Sequence, residues 1–136
     1  MNAFNAQDSL VATMILTAAA DTAMSAREAE VITASVGLLP AFAGLAAGRI
    51  DEISTIVVAM LQEESGVDQI IALVDEGLPG HLRETAYALA CDVAAADGAL
   101  AIEEMNLLEL LRHRLGVDRL RAAAIERGAR ARFSPL

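Results

Sequence analysis

Ala18-Ala19-Ala20-Asp21-Thr22-Ala23-Met24-Ser25-Ala26-Arg27-Glu28 and Ala94-Ala95-Ala96-Asp97-Gly98-Ala99-Leu100-Ala101-Ile102-Glu103-Glu104 are one pattern written twice, 76 residues apart. Three alanines lead to an aspartate, and a glutamate follows seven residues later. Apolar matches continue beyond the pattern, as at Ile32 and Leu108. Each copy reads as helix, tight corner, helix. Two copies make two related helix pairs around one core, since a solenoid needs three or more repeats.

Working outward, apolar residues recur at helical spacing along almost the whole chain. Leu10, Met14, Ile15 and Ala18 form the stripe before the first corner, and Val31, Ile32, Val36 and Leu39 the stripe after it. That second helix should end around Gly37 to Pro40. An Ala/Gly-rich piece, 41–48, precedes a third stripe at Ile53, Ile56, Val57, Met60 and Leu61, for which Gly66 is the expected stop. Ile70, Ile71 and Val74 mark a brief helix ended by Gly77 and Pro79. Leu82, Ala86, Leu89, Val93 and Ala96 mark a long one, and Leu107, Leu108, Leu111 and Leu115 another, closed by Gly116. Residues 118–131 read as a terminal helix with Asp118 at its start, where an acid suits the helix dipole. No segment alternates like a strand. The expected fold is all-α, a compact bundle of seven to eight helices in a single domain over residues 1–136.

Composition agrees with close-packed helices. Of 136 residues, 55% are hydrophobic and 29 are alanine, against four aromatics and no Trp. Such a core is built from Leu, Ile, Val and Ala. The apolar stretch Leu10 to Ala20 falls well short of the about twenty residues a spanning helix requires. It is preceded by Asp8 and lacks a basic leader, so it does not read as a signal peptide. A cytoplasmic location is the expectation. One cysteine excludes an internal disulfide framework and any multi-cysteine metal site.

Charge is uneven. Nineteen acids face ten arginines and no lysine, a net charge of −9. Residues 1–111 hold seventeen acids and three arginines, whereas residues 112–136 hold two acids and seven arginines. An acidic chain argues against general nucleic-acid binding, which basic charge drives. The basic end would instead meet an acidic surface: the chain's own body, a second copy in a homodimer, or a partner protein. Arg119, Arg127 and Arg130 fall near one face of the terminal helix, and Arg114 belongs to the same candidate surface.

The corners carry the other candidate site. Asp97, Gly98, Leu100 and Glu104 have the spacing of the second half of an EF-hand loop. The first ligand positions, however, would be Val93 and Ala95, or Thr17 and Ala19 in the other copy. Calcium takes about six to eight oxygen ligands, so neither corner is a complete EF-hand. Two readings stand. In one, Asp21 and Asp97 turn the chain, and Ser25 with Glu28 forms a capping box; Ala101 then obliges the second copy to take its cap elsewhere. In the other, Asp21, Glu28, Asp97 and Glu104 converge and share a divalent cation.

The run Leu82-Arg83-Glu84-Thr85-Ala86-Tyr87-Ala88-Leu89-Ala90-Cys91-Asp92-Val93-Ala94-Ala95-Ala96-Asp97-Gly98 resembles the signature of TerB-like tellurite-resistance proteins. The doubled corner, the segment Leu110-Leu111-Arg112-His113-Arg114-Leu115-Gly116 and the tail 123–132 resemble the same family, so that the likeness spans nearly the whole chain. It implies a compact all-helical bacterial cytoplasmic protein linked to tellurite resistance and to chemical or metal stress. It also implies partners in a stress-response assembly with membrane and calcium-binding components. Thr22 departs from the family pattern, which has Gly there. A β-branched residue is strained where φ is positive.

The remaining chemistry-bearing residues are few. Cys91, on a helix expected to be buried, reads as a small core residue; a reactive thiol is the alternative. His81 sits at a helix start, and His113 lies between Arg112 and Arg114, where a cation is disfavoured. No nucleophile triad or phosphate-cradling glycine loop is present. The expectation is a non-enzymatic adaptor acting through protein contacts, or a module that senses a divalent cation through the corner acids.

Overall fold

A computed structural model describes residues 3–20, 24–98 and 100–136. Among these, seven α-helices and two short 3-10 turns follow one another with no strand. They are α1 (Ala6–Ala18), α2 (Ala26–Leu38), α3 (Arg49–Leu61), α4 (Gly66–Gly77), α5 (Arg83–Ala95), α6 (Ile102–Leu115) and α7 (Arg119–Arg132). The 3-10 turns, Pro40–Phe42 and Gly80–Leu82, lead from α2 toward α3 and from α4 into α5.

The first helix is the centre. Every residue from Asp8 to Ala18 is buried, so α1 has no solvent face. A helix that is apolar all round belongs inside a bundle. It packs on α5, α4 and α3, while α5 carries α6 and α7 on its other sides. Each of Leu10, Met14, Ile15 and Leu16 is at least 98% covered, contributing about 1.5–3 kcal/mol apiece. The two buried threonines of this helix are satisfied locally. Thr13 Oγ1 donates to the Ser9 carbonyl and Thr17 Oγ1 to the Thr13 carbonyl, each at 2.8 Å.

Alanine lets these helices come close. Ala86, Ala90 and Ala94 form a buried stripe at four-residue spacing along α5, and Ala12 and Ala18 are buried on α1. The repeated helix pairs, α1–α2 and α5–α6, thus share one hydrophobic cluster, as the repeat requires.

Asp8, which the sequence singled out only as a break before an apolar run, fastens the bundle. Asn5 Oδ1 accepts the Asp8 N–H at 2.8 Å, and Asp8 Oδ2 accepts the Asn5 N–H at 3.1 Å, a reciprocal cap on α1. Both carboxylate oxygens also receive the Arg49 guanidinium at 2.8 Å, which ties the start of α3 to the start of α1. Those charge-assisted bonds hold the Asp8 carboxyl below the ordinary carboxylate range, overcoming the opposing effect of burial.

One boundary differs from expectation. Gly66 does not close the third helix, which ends at Leu61; it opens α4. A Cβ there would stand 2.0 Å from the Met60 carbonyl oxygen, so glycine is demanded by close backbone approach. Gly116, by contrast, stops α6 as read, with φ at +70°.

Candidate functional site

The second corner and the first meet. Ser25 is the N-cap of α2: its Oγ accepts the Glu28 N–H at 3.1 Å, and the Glu28 carboxylate accepts the Ser25 N–H at 2.8 Å. The same Ser25 hydroxyl donates to Asp97 Oδ1 at 3.1 Å, across 72 residues of sequence. Glu28 is buried and bonded to backbone, whereas Asp97 is exposed beside Gly98, whose φ is +77°. In the other copy Ala101 occupies the N-cap position. It has no side-chain oxygen, so only the return half of the box forms: Glu104 Oε1 accepts the Ala101 N–H at 3.3 Å. The glutamate thus keeps its half of the second box without a side-chain oxygen at position 101. Glu104 is as buried as its counterpart Glu28.

Of the four corner acids, Asp97 is thus joined to the Ser25–Glu28 cap, and Glu104 caps its own helix. Asp21 and Thr22 lie outside the described residues. Among the described residues no three acidic, His or Cys side chains form a group able to hold a metal ion.

The basic end is partly engaged with the chain's own acids. Arg114 reaches Asp68 of α4 at 3.8 Å, Arg121 reaches Glu84 of α5 at 2.9 Å, and Arg132 bonds Asp92 of α5. Arg119, Arg127 and Arg130 are exposed and form no ion pair among the described residues. They occupy about a quarter of the circumference of α7.

A third place was missed by sequence reasoning. Between α5, α6 and α7 lies a cavity of about 470 Å³ with a mostly apolar wall. Tyr87 is 1% exposed, and its hydroxyl donates to Glu126 Oε2 at 2.6 Å, joining α5 to α7. Burial, then the Glu126 carboxylate, pushes the phenol well above its usual range. Cys91, one turn along α5, faces the same cavity, and burial pushes its thiol up to about 12. At neutral pH it is a protonated core residue with little nucleophilic character. One signal was present in the sequence: a lone tyrosine in an Ala/Leu core needs a partner for its hydroxyl when buried. Its partner, 39 residues away on another helix, was not legible.

The family model described as tellurite resistance protein TerB matches residues 7–127. The chain belongs to the TerB family. The match runs from α1 into α7 and takes in both corners, Tyr87 and Glu126, and the all-α architecture is that of the TerB fold. Comparison with curated proteins and with solved structures finds no match. Arg130 and Phe133, at the mouth of the cavity, lie beyond the residues that the TerB model matches. Among the described residues no helix is long and apolar enough to cross a membrane.

Proposed function

We propose that this TerB-family chain is a non-enzymatic cytoplasmic adaptor in a bacterial tellurite- and chemical-stress system, acting by protein contacts. The observation that carries this reading is the arginine face of α7. Arg119, Arg127 and Arg130 extend into solvent without an ion pair among the described residues, while Arg114, Arg121 and Arg132 are spent on holding the bundle together. Unpaired guanidiniums offer forked donors suited to carboxylates on a partner protein. The partner is an acidic protein of the stress-response assembly, membrane-associated or not; a second copy of this acidic chain offers the same chemistry. Replacing Arg119, Arg127 and Arg130 together by serine tests it. The variant should keep its circular dichroism and melting temperature, yet lose partner capture and tellurite resistance in a host lacking its own copy. Full resistance in that host would sink the reading.

A second reading, a divalent-cation sensor, draws support from the Ser25–Asp97 bond that joins the corners. Calorimetric titration with calcium, magnesium, manganese and zinc, on wild type and Asp97→Asn, tests it. A response that vanishes in the variant supports sensing, as does partner capture that depends on chelator. Absence of both heat and thermal shift in wild type ends it.

A further inference from the structure

We propose that the cavity between α5, α6 and α7 binds one small amphipathic amine, its apolar body against Ala94, Leu108 and Ala129 and its protonated amino head on the Glu126 carboxylate. At about 470 Å³ the cavity has the size of small-molecule sites, which are mostly apolar with a few convergent polar groups. The polar groups here select the head. Tyr87 already gives its only acidic proton to Glu126 Oε2, so the pair presents acceptors to an incoming molecule: the phenol oxygen and the rest of the carboxylate. Among the described residues Tyr87 is the one donor to Glu126, and no arginine or histidine nitrogen lies within ion-pair distance of it. A half-buried carboxylate with that single donor is completed by a cationic donor, and a carboxylate-bearing ligand would be repelled. Leu100 and Met105, 44% and 52% exposed at the mouth, extend the apolar surface toward solvent. Arg130 stands at the same mouth, one turn beyond Glu126, and makes the competing outcome explicit: an anionic head would go there.

Tyr87 is the only tyrosine in a chain without tryptophan, so intrinsic fluorescence reports this cavity alone. Octylamine, octanol and octanoate are titrated into the full chain, with calorimetry for stoichiometry and melting temperature for stabilisation. Octylamine should saturate at one molecule per chain, change the Tyr87 emission and raise the melting temperature. Octanol should bind about tenfold more weakly, and octanoate more weakly still. Glu126→Gln, whose side-chain carbonyl still accepts the tyrosine proton, should weaken octylamine about tenfold and leave octanol unchanged. Arg130→Ser should not weaken octylamine. Octanoate binding as tightly as octylamine overturns the proposal, as does undiminished amine binding by a folded Glu126→Gln protein. So does the lack of any saturable response in wild type.

Discussion

The repeat supplies its own control for the energetics of a corner. Ser25 and Ala101 occupy equivalent N-cap positions with nearly the same backbone, φ −77°, ψ 164° and φ −70°, ψ 153°. One has the capping hydroxyl and the other does not. Ser25→Ala removes the acceptor of the Glu28 N–H, a loss of about 1 kcal/mol. It also removes the donor to Asp97, which at this exposed position adds about 0.5 kcal/mol. At about 2 cal/mol/K of unfolding entropy per residue, the combined loss lowers the melting temperature by about 5 °C. Ala101→Ser is the mirror experiment. No backbone change is needed for a serine there to cap α6, and the gain of about 1 kcal/mol raises the melting temperature by about 3 °C. Differential scanning calorimetry of both single variants and the double, in the presence of chelator, measures each value free of any bound ion. A double variant melting about 2 °C below wild type, the sum of the two single shifts, would show the corners acting independently. If Ala101→Ser leaves stability unchanged while Ser25→Ala lowers it, side-chain capping is not what distinguishes the two corners, and the reasoning fails.

Two further outcomes follow from the packing and the charges. Gly66→Ala forces a Cβ against the Met60 backbone and should cost about 3 kcal/mol, a fall of about 10 °C, whereas Gly37→Ala, with open space around it in α2, should raise stability by about 0.5 kcal/mol; equal effects in thermal melts would refute the close-approach argument. Asp8→Asn should cost about 2–3 kcal/mol at neutral pH, a value discounted because Arg49 is about one-third exposed. Because the folded pKa of Asp8 is lowered, that contribution is fully present above the ordinary value of 3.8 and is lost as pH falls through the folded pKa. Urea melts from pH 7 downward should therefore show wild type and variant converging only at acid pH, and a constant gap would contradict the ion pair's role.

Much of the candidate site could be read in advance for one reason: it is local. The spacing from Ser25 to Glu28 is a capping box on any helix that starts there, and glycine at position 116 is a helix stop wherever apolar periodicity ends just before it. The doubled corner announced that two helix pairs share a core, and α1 packing on α5 is how they share it. The role of Gly66 is not legible in the sequence because a helix stop and a close backbone approach both ask for glycine, and only the position of the Met60 carbonyl tells them apart.

By itself the sequence determined the helices, the repeat and the contrast between an acidic body and a basic end, because each rests on residues near one another in the chain. Tertiary structure alone decided which groups meet: Asp8 with Arg49, Ser25 with Asp97, Tyr87 with Glu126. It also decided which arginines are spent inside the bundle and which remain at the surface. The physical reason is that hydrogen bonds and ion pairs act over a few ångströms, while these partners lie 39 to 72 residues apart along the chain. Periodicity states that a face is buried; only the packed bundle states against what.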